Sequence, residues 1–385
     1  MKFELEDMFE REAIIKVIGV GGGGGNAVDH MINTGISGVD FIGANTDAQA
    51  LRRLSVDTLI QLGSELTQGL GAGTNPDVGK QAAQEDRSRI EEVIDGADMI
   101  FLTAGMGGGT GTGAIPVIAE AAKEKGILTV AVVTKPFKFE GAKKMKAAEE
   151  GILELEKYVD SLIVIPNQKL LPVLGNNVSL IDAFNAANDV LREAVQGITE
   201  LIVNPGLINV DFADVKTVMS EMGVAIMGTG IAKGDNRARE AAEKAVACPL
   251  LDDVNLFGAK GILVNITATA ELGIAEFNEV GEIVHEFASE DAIIKIGTAI
   301  DTELGDEIKV TVVATGMGGT QHRQTVSSIS SRESIAKKAV DYGVFEKPTA
   351  VRQREGSEAR YGAQAKKAEN MDYLDIPAFL RRQAD

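Results

Sequence analysis

The sequence predicts an α/β protein in which a Rossmann-like, doubly wound parallel sheet is joined by a long helix to a second, smaller α/β domain. Three observations carry that prediction. Five apolar runs of strand length alternate with helical segments: Ile14 to Val20, Asp40 to Asn45, Met99 to Ala104, Leu128 to Thr134 and Leu162 to Pro166. Two glycine-rich turns each follow one of these runs, Gly19-Val20-Gly21-Gly22-Gly23-Gly24-Gly25-Asn26 and Gly107-Gly108-Gly109-Thr110-Gly111-Thr112-Gly113. From Ser179 to Val203, Leu180, Ile181, Phe184, Ala187, Leu191, Ala194, Val195, Ile198 and Leu201 recur at helical spacing.

In chain order, residues 1–11 form an N-terminal extension and 12–178 the sheet domain. The long helix (179–203) follows, then a loop and helix over 204–223. The second domain, 224–315, shows helical patterns at Arg237 to Val246 and Phe277 to Phe287. Its strand patterns fall at Gly261 to Thr267, Ile293 to Ala299 and Ile308 to Ala314. From 316 to 370 hydrophobic periodicity is lost, as in a disordered linker. Between Arg323 and Lys367 there are ten basic and five acidic residues, opposite in balance to the rest of the chain. Apolar character returns over 371–385, where Tyr373, Leu374, Ile376, Phe379 and Leu380 read as a partner-binding peptide. About 50 flexible residues give that peptide a reach of ~40 Å.

Composition narrows the function. The chain of 385 residues is 44% hydrophobic, enough for two ordinary cores. No apolar run approaches the ~20 residues that span a bilayer, and the acidic start resembles no signal peptide. A lone Cys248 excludes internal disulfides and a cysteine-based zinc site, and the three histidines are scattered. A cytoplasmic location is expected. The formal charge of −19 argues against nucleic acid as a partner.

The glycine turns point to phosphate. Without Cβ atoms the backbone can approach an anion closely, and the N–H groups of a helix N-terminus supply donors and positive partial charge. Gly19-x-Gly21-x-x-Gly24 also fits the dinucleotide fingerprint, and Asp47 stands roughly where a ribose-binding acid would. A second glycine turn favours a nucleoside triphosphate gripped from both sides. The P-loop is absent: Gly73 to Gly79-Lys80 has the wrong spacing and ends in Gln81. Mg2+, carried mainly by phosphate oxygens and water, is the expected companion ion. The loop Gly69 to Pro76 is a candidate to close over the same face.

The second glycine turn matches the tubulin signature, and the chain resembles the tubulin/FtsZ family of GTPases. Agreement extends through Gly19 to Asn26, Asn45-Thr46-Asp47-Ala48-Gln49-Ala50-Leu51, Lys135-Pro136-Phe137, Phe139-Glu140-Gly141, Asn209-Val210-Asp211-Phe212-Ala213-Asp214 and the terminal peptide. The resemblance implies a GTP/GDP-binding, head-to-tail polymerising protein of the bacterial division ring, beneath the membrane but in contact with it only indirectly. It places phosphate contacts on Gly21, Gly22, Gly23, Gly73 and Gly107 to Thr110, and counts Gly24, Gly25, Gly111, Thr112, Gly113 and Lys144 with the nucleotide-binding residues. Ribose and base contacts fall on Asn26, Glu140, Phe184 and Asp189. A carboxylate suits guanine, which offers N1–H and an exocyclic amine. Lys144 stands where the family often carries Arg, and it lacks Arg's bidentate fork. Partners implied are other copies of the chain, membrane-linked adaptors such as FtsA and ZipA, and inhibitors such as MinC and SulA.

The resemblance also implies a shared site. If Phe184 and Asp189 meet the base, the far end of the long helix lies ~25–30 Å away at ~1.5 Å per residue. Asn209, Asp211 and Asp214 follow that far end, placed to act on the nucleotide of a stacked neighbour. Asp211 is equally spaced to cap the next helix. Two other readings stay open. A nicotinamide-dependent dehydrogenase fits the first loop and Asp47 but leaves the second loop and terminal peptide unused, and a purely structural filament would bind nucleotide without hydrolysing it.

Overall fold

The computed structural model describes residues 13–317, apart from 176–177, 205, 222, 249–258 and 290. Among the described residues one sheet of ten strands runs through the molecule. The strands are β1 (Ile15–Val20), β2 (Asp40–Asn45), β3 (Thr58–Gln61), β4 (Met99–Gly105), β5 (Leu128–Lys135), β6 (Ser161–Pro166), β7 (Gly223–Lys233), β8 (Gly261–Ala268), β9 (Ile293–Ile300) and β10 (Glu307–Met317). Their spatial order is β3-β2-β1-β4-β5-β6-β7-β10-β8-β9. The first seven in that order pair in parallel, whereas β10 is antiparallel to both β7 and β8. Strand order reverses direction between β1 and β4, which makes the crevice beyond their carboxyl ends the place for a ligand.

Twelve α-helices accompany the described strands: α1 (Gly21–Asn33), α2 (Ala48–Leu51), α3 (Ser64–Thr67), α4 (Pro76–Glu85), α5 (Arg87–Ile94), α6 (Gly109–Glu124), α7 (Ala142–Leu155), α8 (Leu171–Leu174), α9 (Leu180–Val203), α10 (Phe212–Met219), α11 (Arg237–Val246) and α12 (Ile274–Phe287). The central parallel strands are covered on both faces. Every residue of β5 from Leu128 to Thr134 is therefore buried, and its sequence is a nearly unbroken apolar run.

The long helix α9 begins where Ser179 Oγ accepts from the Asp182 N–H. Its stripe of Leu191, Ala194, Val195, Ile198 and Leu201 is buried in a core shared with β1, β4, β5 and β6. Ile198→Ala would leave a cavity there costing ~2–5 kcal/mol. Glu200, also buried, accepts from Gln196 Nε2 at 2.6 Å, Thr267 Oγ1 at 3.0 Å and Asn265 Nδ2 at 3.1 Å, with Lys309 Nζ at 3.4 Å. These bonds tie α9 to β8 and β10. Removing one partner would strand a buried charge, so the contact fixes where the C-terminal strands sit against the helix.

The elements differ from the sequence expectation at their margins. The last strand runs three residues beyond Ala314, to Met317, across a register shift. Residues beyond it, including the terminal peptide with Tyr373, Leu374, Ile376, Phe379 and Leu380, lie outside the described residues, as does 1–11. Short β3 and the glycine-punctuated β7 carry too weak an apolar pattern to be read as strands from sequence. β7 nonetheless pairs with β6 and β10, and so makes the sheet continuous.

Candidate functional site

Two helices start at a glycine immediately after a strand or turn, with no side chain capping them. For α1 the N-cap position is Val20 and for α6 it is Gly108, and neither has a side chain that accepts a bond from the first turn. No side chain occupies the first-turn N–H groups, although that of Gly109 is taken by Gly73 C=O, and each helix brings the positive end of its dipole to the site. Both ends meet at the β1/β4 crevice around a cavity of about 410 Å3. Gly22, Gly23 and Asn26 line it from α1, Gly108, Gly109, Thr110 and Gly111 from the second turn, and Gly73 from the loop before α4. That loop is tied to the second turn by Gly109 N–H donating to Gly73 C=O at 2.9 Å, and separately the Thr46 and Thr110 hydroxyls are 2.6 Å apart.

The glycines divide into two kinds. A Cβ on Gly22, Gly73 or Gly108 would meet nothing within 4 Å, so a side chain there would occupy space left for a ligand. By contrast Gly24 packs against Thr103, Gly25 against Leu54, and Gly113 against Pro76 and Lys80. Gly21, at φ +73°, lies against Gly111 and brings the two loops together. None of Gly21, Gly24, Gly25, Gly107, Thr112 or Gly113 lines the cavity. Thr112 Oγ1 instead accepts from the Gly107 N–H at 2.7 Å, bracing a turn whose φ of +99° favours glycine.

Glu140 and Lys144 face each other across the rim, Lys144 Nζ donating to Glu140 Oε2 at 2.5 Å. Glu140 is further oriented by the Phe137 N–H at 2.8 Å. Phe184 lines the cavity with its ring edge-on to the fully buried Phe137, centroids 5.4 Å apart, and remains 39% exposed. It is therefore a preset aromatic face open to the cavity and not simply a core residue. Asp189 does not line the cavity. One carboxylate oxygen lies 2.7 Å from His30 Nε2, and Asn188, one residue earlier, faces the cavity.

Asn167 also lines the cavity, and sequence reasoning missed it. It is 4% exposed and its Oδ1 has no hydrogen-bond partner, an orphan acceptor of the sort a ligand donor would satisfy. The available signal was its position: it directly follows Pro166 at the carboxyl end of β6.

Asn209, Asp211 and Asp214 sit elsewhere. They follow the far end of α9, a 24-residue helix that is ~36 Å long at ~1.5 Å per residue. None lines the cavity. Asp211 caps α10, its Oδ1 accepting from the Asp214 N–H at 2.7 Å. The loop is anchored on β9, where Thr298 N–H donates to Ile208 C=O and Thr298 Oγ1 accepts from Ile208 N–H, both at 2.9 Å. Among the described residues no group of three or more His, Cys, Asp or Glu is placed to hold a metal, and no helix is long and apolar enough to cross a membrane.

Fold and cavity together define the class: an α/β nucleoside triphosphatase built without a P-loop. Residues 14–175 match the Tubulin/FtsZ family GTPase domain, and residues 223–318 match the FtsZ family C-terminal domain. The chain is 57% identical to the cell division protein FtsZ of Pseudomonas aeruginosa, over 100% of both chains. It is 58% identical to that of Coxiella burnetii over 99% of both. Among solved structures, an empty FtsZ dimer of M. jannaschii superposes with a TM-score of 0.77 at 44% identity, covering 82% of this chain and 91% of that one. CetZ2 from Haloferax volcanii, at 21% identity and a TM-score of 0.67, shares the fold. The chain belongs to the tubulin/FtsZ family, and it is a GTPase of the cell-division type.

Proposed function

We propose that the cavity binds GTP and that hydrolysis is completed by a second copy of the chain. In this reading the α1 and α6 N-termini with Gly22, Gly23, Gly73 and Gly108 to Thr110 receive the phosphates. Phe184 stacks on the base, Asn26 and Glu140 meet the base and ribose, and Asn167 supplies an acceptor for guanine donors; Asp189, just outside the cavity lining, would supply a second through its half-exposed carboxylate. His30 would hold Asp189 from behind.

The observation that carries the shared-site reading is the separation along α9 of the cavity from Asn209, Asp211 and Asp214. The two ends also expose apolar side chains. Leu180 and Ile181 are 59% and 72% exposed beside the cavity end, and Leu207 is 63% exposed in the acidic loop. Two different sticky surfaces on one molecule make a head-to-tail contact, and repeating that contact gives a filament. A solved relative is itself described as a dimer. Docking the far end of one subunit onto the cavity of the next would bring Asp211 and Asp214, assisted by Asn209, to the terminal phosphate. There they would orient and polarise the attacking water; positioning and electrostatics suffice, with no covalent intermediate.

Mg2+ fits such a site because it needs few protein ligands when phosphates and water supply the rest, in keeping with a donor set dominated by backbone N–H. Bound there, it would neutralise phosphate charge as bonds reorganise. Loss of the terminal phosphate then removes a group bridging both subunits, so GTP sets filament lifetime. In the cell this corresponds to a ring at the midcell division site, tethered by the terminal peptide to adaptors such as FtsA and ZipA, with MinC and SulA as candidate inhibitors.

The test is phosphate release from GTP and Mg2+ against protein concentration, with light scattering in parallel. Turnover per molecule should rise only above the threshold at which scattering rises. Constant turnover down to dilute monomer would return the catalytic groups to the neighbourhood of the glycine turns.

A further inference from the structure

Beside the acidic loop lies a cation that this account of hydrolysis leaves unused. Lys295 Nζ lies 2.7 Å from Asp214 Oδ1, and the two side chains are 36% and 37% exposed. Lys295 belongs to β9, the edge strand that supports the loop at two further places. Thr298 fixes the backbone of Ile208, and Gly297 leaves the room that Val210 and Leu201 occupy. One strand thus sets both the loop's path and the direction of its second carboxylate.

The electrostatics give that pair a task. Resting on the proposal that Asp211 and Asp214 act on a neighbour's GTP, assembly brings two carboxylates of a chain of net charge −19 towards a polyphosphate. Like charges brought this close near a protein surface repel appreciably, because the local dielectric is well below that of water. An ammonium 2.7 Å from one carboxylate offsets much of this while leaving Asp211 to polarise water. We infer that Lys295 is a positioning residue for the trans reaction: it holds Asp214 in register and lowers the repulsion between the acidic loop and the neighbour's phosphates.

The experiment compares Lys295→Met, which keeps the stem and drops the charge, with Lys295→Arg and the unaltered chain. Phosphate release per unit polymer mass is measured at low and at near-physiological ionic strength, and GTP affinity is measured on dilute subunits. Lys295→Met should lose turnover by about fivefold, the upper end for an ion pair of this exposure. GTP affinity of the free subunit should not change, because the cavity lies at the other end of α9. The defect should shrink as salt takes the Debye length from ~30 Å to ~8 Å, and Lys295→Arg should recover most of the turnover. A purely structural role would instead lower the melting temperature or impair assembly and leave turnover per unit polymer mass unchanged.

Unaltered turnover per polymer mass in Lys295→Met, or a defect independent of salt and not recovered by Arg, overturns the inference. If Lys295→Met alone fails to assemble, it is copolymerised with excess unaltered chain. Turnover per polymer must then fall in proportion to its share, and no fall overturns the inference. Failure of the underlying trans reading shows separately, as concentration-independent turnover in the unaltered chain.

Discussion

The two ends of α9 are built on opposite principles. At the cavity end, recognition is made of backbone: uncapped helix starts, glycines whose missing Cβ atoms leave ligand space, and a carboxylate held by both the Phe137 N–H and Lys144. At the far end it is made of half-exposed side chains on a loop that an edge strand props up. The first end is complete as a binding site by itself. On the proposed trans reading the second acquires a function only when another subunit is set against it, and a lone molecule would then hold GTP without consuming it.

This contrast can be broken by experiment. Asp211→Ala should lower turnover by about a hundredfold or more, the scale of a lost proton-handling group, while GTP binding is retained. Normal turnover in that variant, measured by phosphate release, would sink the assignment. A Cβ at Gly108 meets nothing within 4 Å, so the melting temperature of Gly108→Val should hold. Its side chain would stand where phosphate must approach, weakening GTP binding by about thirtyfold, or ~2 kcal/mol, as read by nucleotide binding to dilute subunits. Asp189→Asn should cut the preference for GTP over inosine triphosphate by about tenfold, since inosine lacks the amine a carboxylate would accept from. An unchanged ratio would remove Asp189 from base recognition.

The smallest effect concerns neither end. Arg237 bonds Glu276 at 2.6 Å and Asp306 at 2.9 Å, and Arg237→Ala should cost ~1–2 kcal/mol of stability with no change in GTP affinity. The Arg237 guanidinium holds the Glu276 carboxyl below its usual range. The folded state therefore binds its proton more weakly than the unfolded chain does. The resulting stabilisation is present at neutral pH and lost as pH falls below the ordinary glutamate range, through Glu276's own depressed value. Urea unfolding of both chains at neutral and acidic pH checks the sign: the difference between them should narrow in acid.

Much of this was legible because buried parallel strands write themselves as apolar runs. The stretches expected at Asp40 to Asn45 and Arg237 to Val246 are those observed, and α9 differs by one residue because Ser179 is its cap. Sequence was weakest where burial is partial or geometry is non-local. β3 is a four-residue edge strand, and β7 mixes buried and exposed positions with glycine. The glycine turns announced an anion site, but not that Gly24 and Gly113 serve close packing, since that depends on Thr103 and Pro76 from elsewhere in the chain. Asn167 and Lys295 belong to no motif. One is revealed by an unpartnered oxygen and the other by a contact across two elements.

The placement of cavity and acids at opposite ends of α9 has an arithmetic consequence. If the acids act in trans as proposed, a row of subunits joined head to tail completes one fewer reaction centre than it has members, so a pair would hydrolyse only one of its two nucleotides. Specific activity then climbs with filament length towards a plateau. At one tip the last bound GTP would face solvent with no acids against it, to be exchanged but not spent, which would give the filament a chemically distinct end without any second protein to mark it.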